Sequence, residues 1–162
     1  METEALPEAT VCHPIVDDRA LLIEKQRGIG EGKIIGPGGK VEPGESPTEC
    51  VIRETQEEIA ATPTGVEKAG EFTFIHGDEA AFFIHVFRAT GLSGTPAQTD
   101  EAIPHWFDTD SLPYDRMWAD DRYWFPYLLN DTPFRGWFVF DTDGDELKEY
   151  TLDVDVDFSG AI

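Results

Sequence analysis

Lysine is scarce in this 162-residue chain: Lys25, Lys33, Lys40, Lys68 and Lys148 are all it has, and Lys plus Arg number 12 against 33 Asp and Glu. The formal charge is −21 and the sequence pI near 4.2. Such a field repels nucleic-acid backbones and anionic membrane surfaces. Neither a nucleic-acid polymer nor a membrane is expected as a partner, and any phosphate site must bring cations of its own. Cysteine is equally sparse. Cys12 and Cys50 form no disulfide framework and fit a reducing cytosol. No run of 18 apolar residues occurs, so no spanning helix is expected. Residues 1–10 lack both the basic and the apolar stretch of a signal peptide, and a cytoplasmic protein is expected. No repeat, no G-x-S-x-G elbow and no Cys–His pairing signature appears, so covalent nucleophilic catalysis is not indicated. His13, His76, His85 and His105 show no metal-ligand spacing and read as strand or loop residues.

What is present is core material. Hydrophobic residues make up 40%, with 11 Phe, 4 Trp and 4 Tyr, enough to exclude wholesale disorder despite the charge. The length predicts one domain over 1–162, with tails 1–9 and 157–162 read as loose and a monomer expected. The acids run from Glu2 to Asp157 and form no single tail. An ordinary solvated surface is one reading. Adaptation to concentrated cytosolic salt is the favoured one, because the Debye length falls to ~3 Å at 1 M and screens the self-repulsion.

Ala20–Ile23 reads as a strand, and residues 27–32 as a glycine-rich loop. Pro37, Gly38, Gly39, Pro43 and Gly44 make residues 36–45 a turn-rich segment. Ser46-Pro47-Thr48-Glu49 predicts a helix start, with Ser46 as N-cap, Pro47 at the first helical position and a capping box to Glu49. That helix should end at Ala60 or Ala61, ahead of Pro63. Strands are expected at 71–75 and 81–87 around the His76-Gly77-Asp78 turn, and at 103–107. A second helix is expected over 119–129, kinked or started near Pro126. A hairpin is expected over 134–140 and 146–154 around Asp143-Gly144. Strands mixed with an early and a late helix give an α/β or α+β domain with a mixed sheet.

The chemistry gathers in the first helix. Glu54, Glu57 and Glu58 stand at i, i+3 and i+4, on one face, with Cβ atoms ~5–6 Å apart. Three like charges so close destabilise a bare helix, and Arg53 offsets only part of that. Hard divalent cations such as Mg²⁺ or Mn²⁺ would resolve the repulsion. Taken alone, the trio reads more ordinarily as a solvated acidic face. The preceding loop shifts the balance: Gly38-Gly39 lets the backbone pass close to the helix, and Glu45 sits just before the N-cap.

Gly39-x5-Glu45-x7-Arg53-Glu54-Thr55-x-Glu57-Glu58 resembles the Nudix box, G-x5-E-x7-R-E-U-x-E-E-x-G-U with U aliphatic. Two places depart. Thr55 replaces an aliphatic residue, and Ala60 stands where the box has glycine. A left-handed Ala60 costs ~1–2 kcal/mol, unless the helix runs on. The likeness extends to Arg27-Gly28-Ile29-Gly30, Gly36–Val41, Met117–Asp121 and Tyr123–Pro126. Over about residues 10–156 the chain resembles the human-type oxidised purine nucleoside triphosphatases among the Nudix hydrolases.

The resemblance implies a Nudix fold of the α/β class, a mixed β-sheet sandwiched between helices. It implies Mg²⁺-dependent hydrolysis of oxidised purine nucleoside triphosphates such as 8-oxo-dGTP to monophosphate and pyrophosphate. Glu54, Glu57, Glu58 and Glu101 would hold the metal, with Mg²⁺ as cofactor and Mn²⁺ as its substitute. Glu57, Glu58, Arg53 and Glu101 would form the catalytic set, Arg53 by orienting the carboxylates. A solvated loop acid is an equal reading of Glu101, and an exposed lysine an equal reading of Lys40, which could meet a phosphate beside Gly38 and Gly39. Trp118 offers a flat face for a purine, with Phe74 and Phe82 as walls. If burial protonates one of Asp120 and Asp121, the pair can read a base edge. The plainer alternative makes Asp120 a helix cap and Trp118 core. Ile34-Ile35 replaces the family's Trp-Asn, so Ile35 lacks a base-contacting amide and base preference is open. Two alternatives stand beside this reading: a Nudix hydrolase of ADP-ribose or other nucleoside diphosphate derivatives, and a non-catalytic nucleotide sensor.

Overall fold

The computed structural model describes residues 6–28, 30–143 and 146–158. Its strands, in chain order, are β1 (Glu8–Val16), β2 (Arg19–Lys25), β3 (Ile34–Ile35), β4 (Thr62–Thr64), β5 (Glu67–His76), β6 (Glu79–Ala89), β7 (Gly91–Ser93), β8 (Ala102–Asp108), β9 (Phe134–Phe140) and β10 (Leu147–Val154). Two helices, α1 (Pro47–Ile59) and α2 (Asp121–Leu129), interrupt them. The main sheet runs β10-β9-β5-β6-β1-β2-β3, with β8 paired along β2, and β4 and β7 form a small second sheet. It is mixed: β1 lies parallel to β6 and β5 parallel to β9, while the other pairs are antiparallel.

The helices lie on opposite faces. On β6, Val86 joins the cluster that holds Trp124, Phe125 and Leu128 of α2, whereas its neighbour Phe87 joins Val51 of α1 with Cys12 and Ala89. Successive strand residues point to opposite faces, so one strand serves both helices. This is the expected mixed sheet between helices.

The start of α1 follows its sequence signal closely. Ser46 is extended, its hydroxyl accepts from the Glu49 N–H at 3.1 Å, and Glu49 accepts from the Ser46 N–H at 2.9 Å. The helix ends at Ile59 because Ala60 takes the left-handed conformation, φ 59°. The chain does not run on to avoid the strain.

Several elements differ from expectation. Glu8 and Ala9, placed in a loose tail, open β1, a strand the sequence reading did not assign. Cys12 and His13 are both buried because β1 is covered on both faces, which erases the alternation expected of a half-exposed strand. The second helix begins at Asp121, two residues later than expected, and Pro126 lies inside it. Pro104 is tolerated because, among the described residues, β8 pairs with β2 alone and needs no N–H for a second neighbour. The β9–β10 pairing is antiparallel as expected, but Gly144 of its turn lies outside the described residues, as does Ile29 of the glycine loop and most of tail 157–162.

Candidate active site

Arg53 is the hub of the carboxylate helix. Its Nε donates to Glu45 Oε2 at 2.6 Å and its Nη2 to Glu45 Oε1 at 3.0 Å, a fork on one carboxylate. Its Nη1 donates to Glu54 Oε1 at 2.8 Å and to Glu57 Oε1 at 3.2 Å. These hydrogen bonds hold the Glu45 carboxyl down at about 2 and raise the guanidinium further above its ordinary value. The crowding of Glu54 and Glu57 is thus met in part from within the helix.

Glu58 behaves differently from its two neighbours. Its side chain is 1% exposed and turns inward, where Lys25 Nζ donates to Oε2 at 3.0 Å and the Gly38 N–H to Oε1 at 2.8 Å. Burial nevertheless raises its carboxyl above the ordinary range, against the attraction of Lys25. Glu54 is also raised, first by burial; Arg53 opposes this, and the charges of Glu57 and Glu101 add to it. The trio therefore shares a helix turn, but Arg53 and Lys25 draw its carboxylates in two directions. Among the described residues, no three His, Cys, Asp or Glu side chains stand as a ready-made cation cage. Glu101 pairs with Arg27 at 3.2 Å in the loop beyond β7, close enough for Glu54 to feel its charge.

The two glycines explain the closeness of loop and helix. A Cβ on Gly39 would lie 2.5 Å from the Glu54 carboxylate, and one on Gly38 2.0 Å from the Thr10 carbonyl oxygen. At Gly38 only bare backbone fits beside β1, whereas at Gly39 a methyl group would have to displace the Glu54 carboxylate.

Beside this loop opens a cavity of about 340 Å³, of a size that suits a small ligand. Gly38, Gly39, Lys40 and Lys25 border it at the carboxylate end. Phe74, Phe82, Ile35 and Trp118 line its apolar walls, and Asp120 and Asp121 supply acid groups. Trp118 is half-buried, held edge-on by Phe74 at 6.2 Å and by Phe140 at 6.4 Å between ring centres, with Lys33 Nζ 4.8 Å from its ring centre. It borders the cavity and is not core packing. Lys40 Nζ lies 5.5 Å from the Phe82 ring centre.

Asp120 and Asp121 are 2% and 6% exposed. Asp120 sits at the helix N-cap position, yet its side chain makes no capping bond; Oδ2 instead accepts from Trp124 Nε1 at 2.8 Å. The plainer capping role is thereby replaced by a buried contact. Burial raises both carboxyls; Asp121 is raised well above its usual value, with the charge of Asp120 adding to the effect of burial. A pair so placed keeps a proton to higher pH than free aspartates do, and so offers both a donor and an acceptor.

All the sequence-selected residues except Glu101, Arg53 and the three helix glutamates border one cavity, and those five gather at its Gly38–Gly39 end or just beyond it. Sequence reasoning missed Thr10, His13, Lys25, Phe72, Ile84 and Trp124, which also line the cavity. Only Trp124 carried a signal, as part of Tyr123-Trp124-Phe125-Pro126. The Lys25–Glu58 pair spans 33 residues and no local pattern announces it.

Comparison with known proteins agrees with this architecture. The NUDIX domain matches residues 6–128. The chain is 43% identical over 137 residues to the oxidized purine nucleoside triphosphate hydrolase of Danio rerio, covering 83% of this chain and 86% of that protein. The protein of the same name from Mus musculus is 38% identical over 135 residues, with 83% and 86% covered. The crystal structure of a MutT protein from Bacillus halodurans superposes with a TM-score of 0.81 at 33% identity, covering 91% of this chain and 98% of that one. The chain belongs to the NUDIX family.

Proposed function

We propose that this NUDIX chain hydrolyses purine nucleoside triphosphates with an oxidised base, such as 8-oxo-dGTP, to the monophosphate and pyrophosphate, and so cleanses the nucleotide pool. The observation that carries the reading is a single cavity with two unlike ends. One end is aromatic and holds the buried Asp120–Asp121 pair; the other meets the Gly38–Gly39 turn against which Glu54 and Glu58 are held. The names of the vertebrate relatives point the same way.

Hard oxygen donors at the second end fit a divalent cation, Mg²⁺ or in its place Mn²⁺. Glu54, Glu57, Glu58 and Glu101 are the residues that would hold it. Like charge from Glu57 and Glu101 adds to the effect of burial on Glu54, and a cation there would relieve it. When bound, it neutralises phosphate charge and acidifies water. Arg53 orients Glu54 and Glu57, and Glu101 or a helix glutamate accepts the proton of the attacking water. Lys40 meets a phosphate, Trp118 stacks on the purine between Phe74 and Phe82, and Asp120 and Asp121 read its hydrogen-bonding edge. Ile35 adds apolar surface and no hydrogen bond. The whole of 1–162 acts as one domain and as a monomer in a reducing, salt-rich cytoplasm, a setting supported by two free, buried thiols and the acid excess.

A nucleotide panel assayed with Mg²⁺ tests this. Pyrophosphate release from 8-oxo-dGTP should exceed that from dGTP, and ADP-ribose should be a poor substrate. Preferred turnover of ADP-ribose would assign the site to nucleoside diphosphate derivatives, and tight binding without turnover to a sensor.

A further inference from the structure

His13 is a buried polar residue, 2% exposed on β1. Among the described residues, neither its Nδ1 nor its Nε2 has a hydrogen-bond partner. Burial drives its pKa down to about 3, so the ring is neutral and carries one unmet donor and one unmet acceptor. Buried polar groups are nearly always paired, and an unpaired one calls for a reason. Packing alone does not supply it, since a leucine would fill the site among Trp124 and Phe125 without that cost.

The position suggests the reason. His13 shares the face of β1 with Val11, and both border the cavity. Its ring lies 5.4 Å from Trp124 and 4.7 Å from Phe125, centre to centre. Trp124 in turn donates to Asp120, so the imidazole stands in the layer directly behind the acid pair. Gly36 keeps the ring's other side narrow but open to backbone alone: a Cβ there would fall 2.6 Å from His13 Cε1. On the adjoining wall Ile35 offers no polar atom.

We infer that His13 is a specificity-determining residue of the base pocket, the polar group at its inner end that pairs with a polar atom of the bound oxopurine or with a water carried in beside it. The inference rests on the nucleotide-hydrolase reading and deepens it. The unmet donor and acceptor are the free protein's half of a contact completed on binding. The C8 carbonyl and N7–H that oxidation gives the base complete it; a base without them leaves the imidazole unpaired.

The experiment compares wild type, His13→Leu and His13→Gln on 8-oxo-dGTP and on the triphosphate of the unsubstituted purine deoxynucleoside. The readouts are the ratio of the two kcat/KM values, the affinities for the matching monophosphates, and Tm. His13→Leu should lower the kcat/KM ratio and the affinity ratio by roughly 5- to 150-fold, and His13→Gln, which keeps a donor and an acceptor, should restore most of that. Unchanged ratios with a raised Tm in His13→Leu would show a packing residue and overturn the inference. An equal loss on both bases would overturn it too. If the wild type binds the monophosphates but cleaves neither triphosphate, the hydrolase reading fails while the affinity ratio still decides the role of His13.

Discussion

At the residue scale the central fact is that two adjacent aspartates are buried where a purine edge could meet them. Burial raises both pKa values, so the folded protein retains a proton that the unfolded chain has released. The sign follows. Their contribution to stability is complete below the ordinary carboxylate value of ~4 and shrinks as pH rises towards the raised values. Base binding that needs a donor runs in the same direction, present at low pH and lost as pH climbs through the raised Asp121 value. Asp121→Asn keeps a donor at every pH. Titration of monophosphate affinity should show a fall with rising pH in the wild type and a flat profile in that variant; a flat wild-type profile would contradict the protonated pair. The pair was legible in the sequence as a candidate reader of a base edge, but its burial and the partner of Asp120 were not. A helix cap stood as the alternative for Asp120 because Asp favours that position, and only the Trp124 indole, four residues on, shows where its oxygen goes.

At the scale of elements, local signals were read well where neighbouring residues decide the outcome. The Ser46–Glu49 capping box and the end of α1 are such cases. Ala60 pays for its left-handed turn, and Ala60→Gly should stabilise the protein by about 0.5–1 kcal/mol once the extra freedom of glycine in the unfolded chain is counted. Calorimetry would read this as a rise in Tm of roughly 1–4 °C. The Gly38-Gly39 turn separates stability from function. Gly38→Ala meets rigid backbone at Thr10 and should lower Tm by several degrees. Gly39→Ala meets first the end of the Glu54 side chain, so it should cost less in Tm than Gly38→Ala while kcat falls at least tenfold. Equal effects of the two on Tm would argue against that division. What the sequence hid is long-range. β1 was missed because burial on both faces removes its alternation, and Lys25 meets Glu58 only after β2 and α1 have packed.

At the scale of the whole molecule, a charge of −21 is carried by a fold whose cavity, in the proposed function, takes an anion. Local cations resolve the contradiction at the site: Arg53 and Lys25 hold the carboxylates, and Lys33 and Lys40 flank the aromatic walls. Elsewhere self-repulsion persists, and dissolved salt should screen it. Unfolding midpoints should therefore rise steadily from low to multimolar KCl; a flat or falling series would reject adaptation to salt. Composition made the charge legible at once, but not the direction in which the helix acids turn, which depends on partners from β2 and the glycine loop. The most direct test of the account is pyrophosphate release from 8-oxo-dGTP with Mg²⁺ by wild type and by Glu57→Gln, an exposed substitution that leaves the other Arg53 contacts in place. The account predicts that the variant keeps the wild-type circular dichroism spectrum and Tm while release falls at least a hundredfold; undiminished release would contradict it.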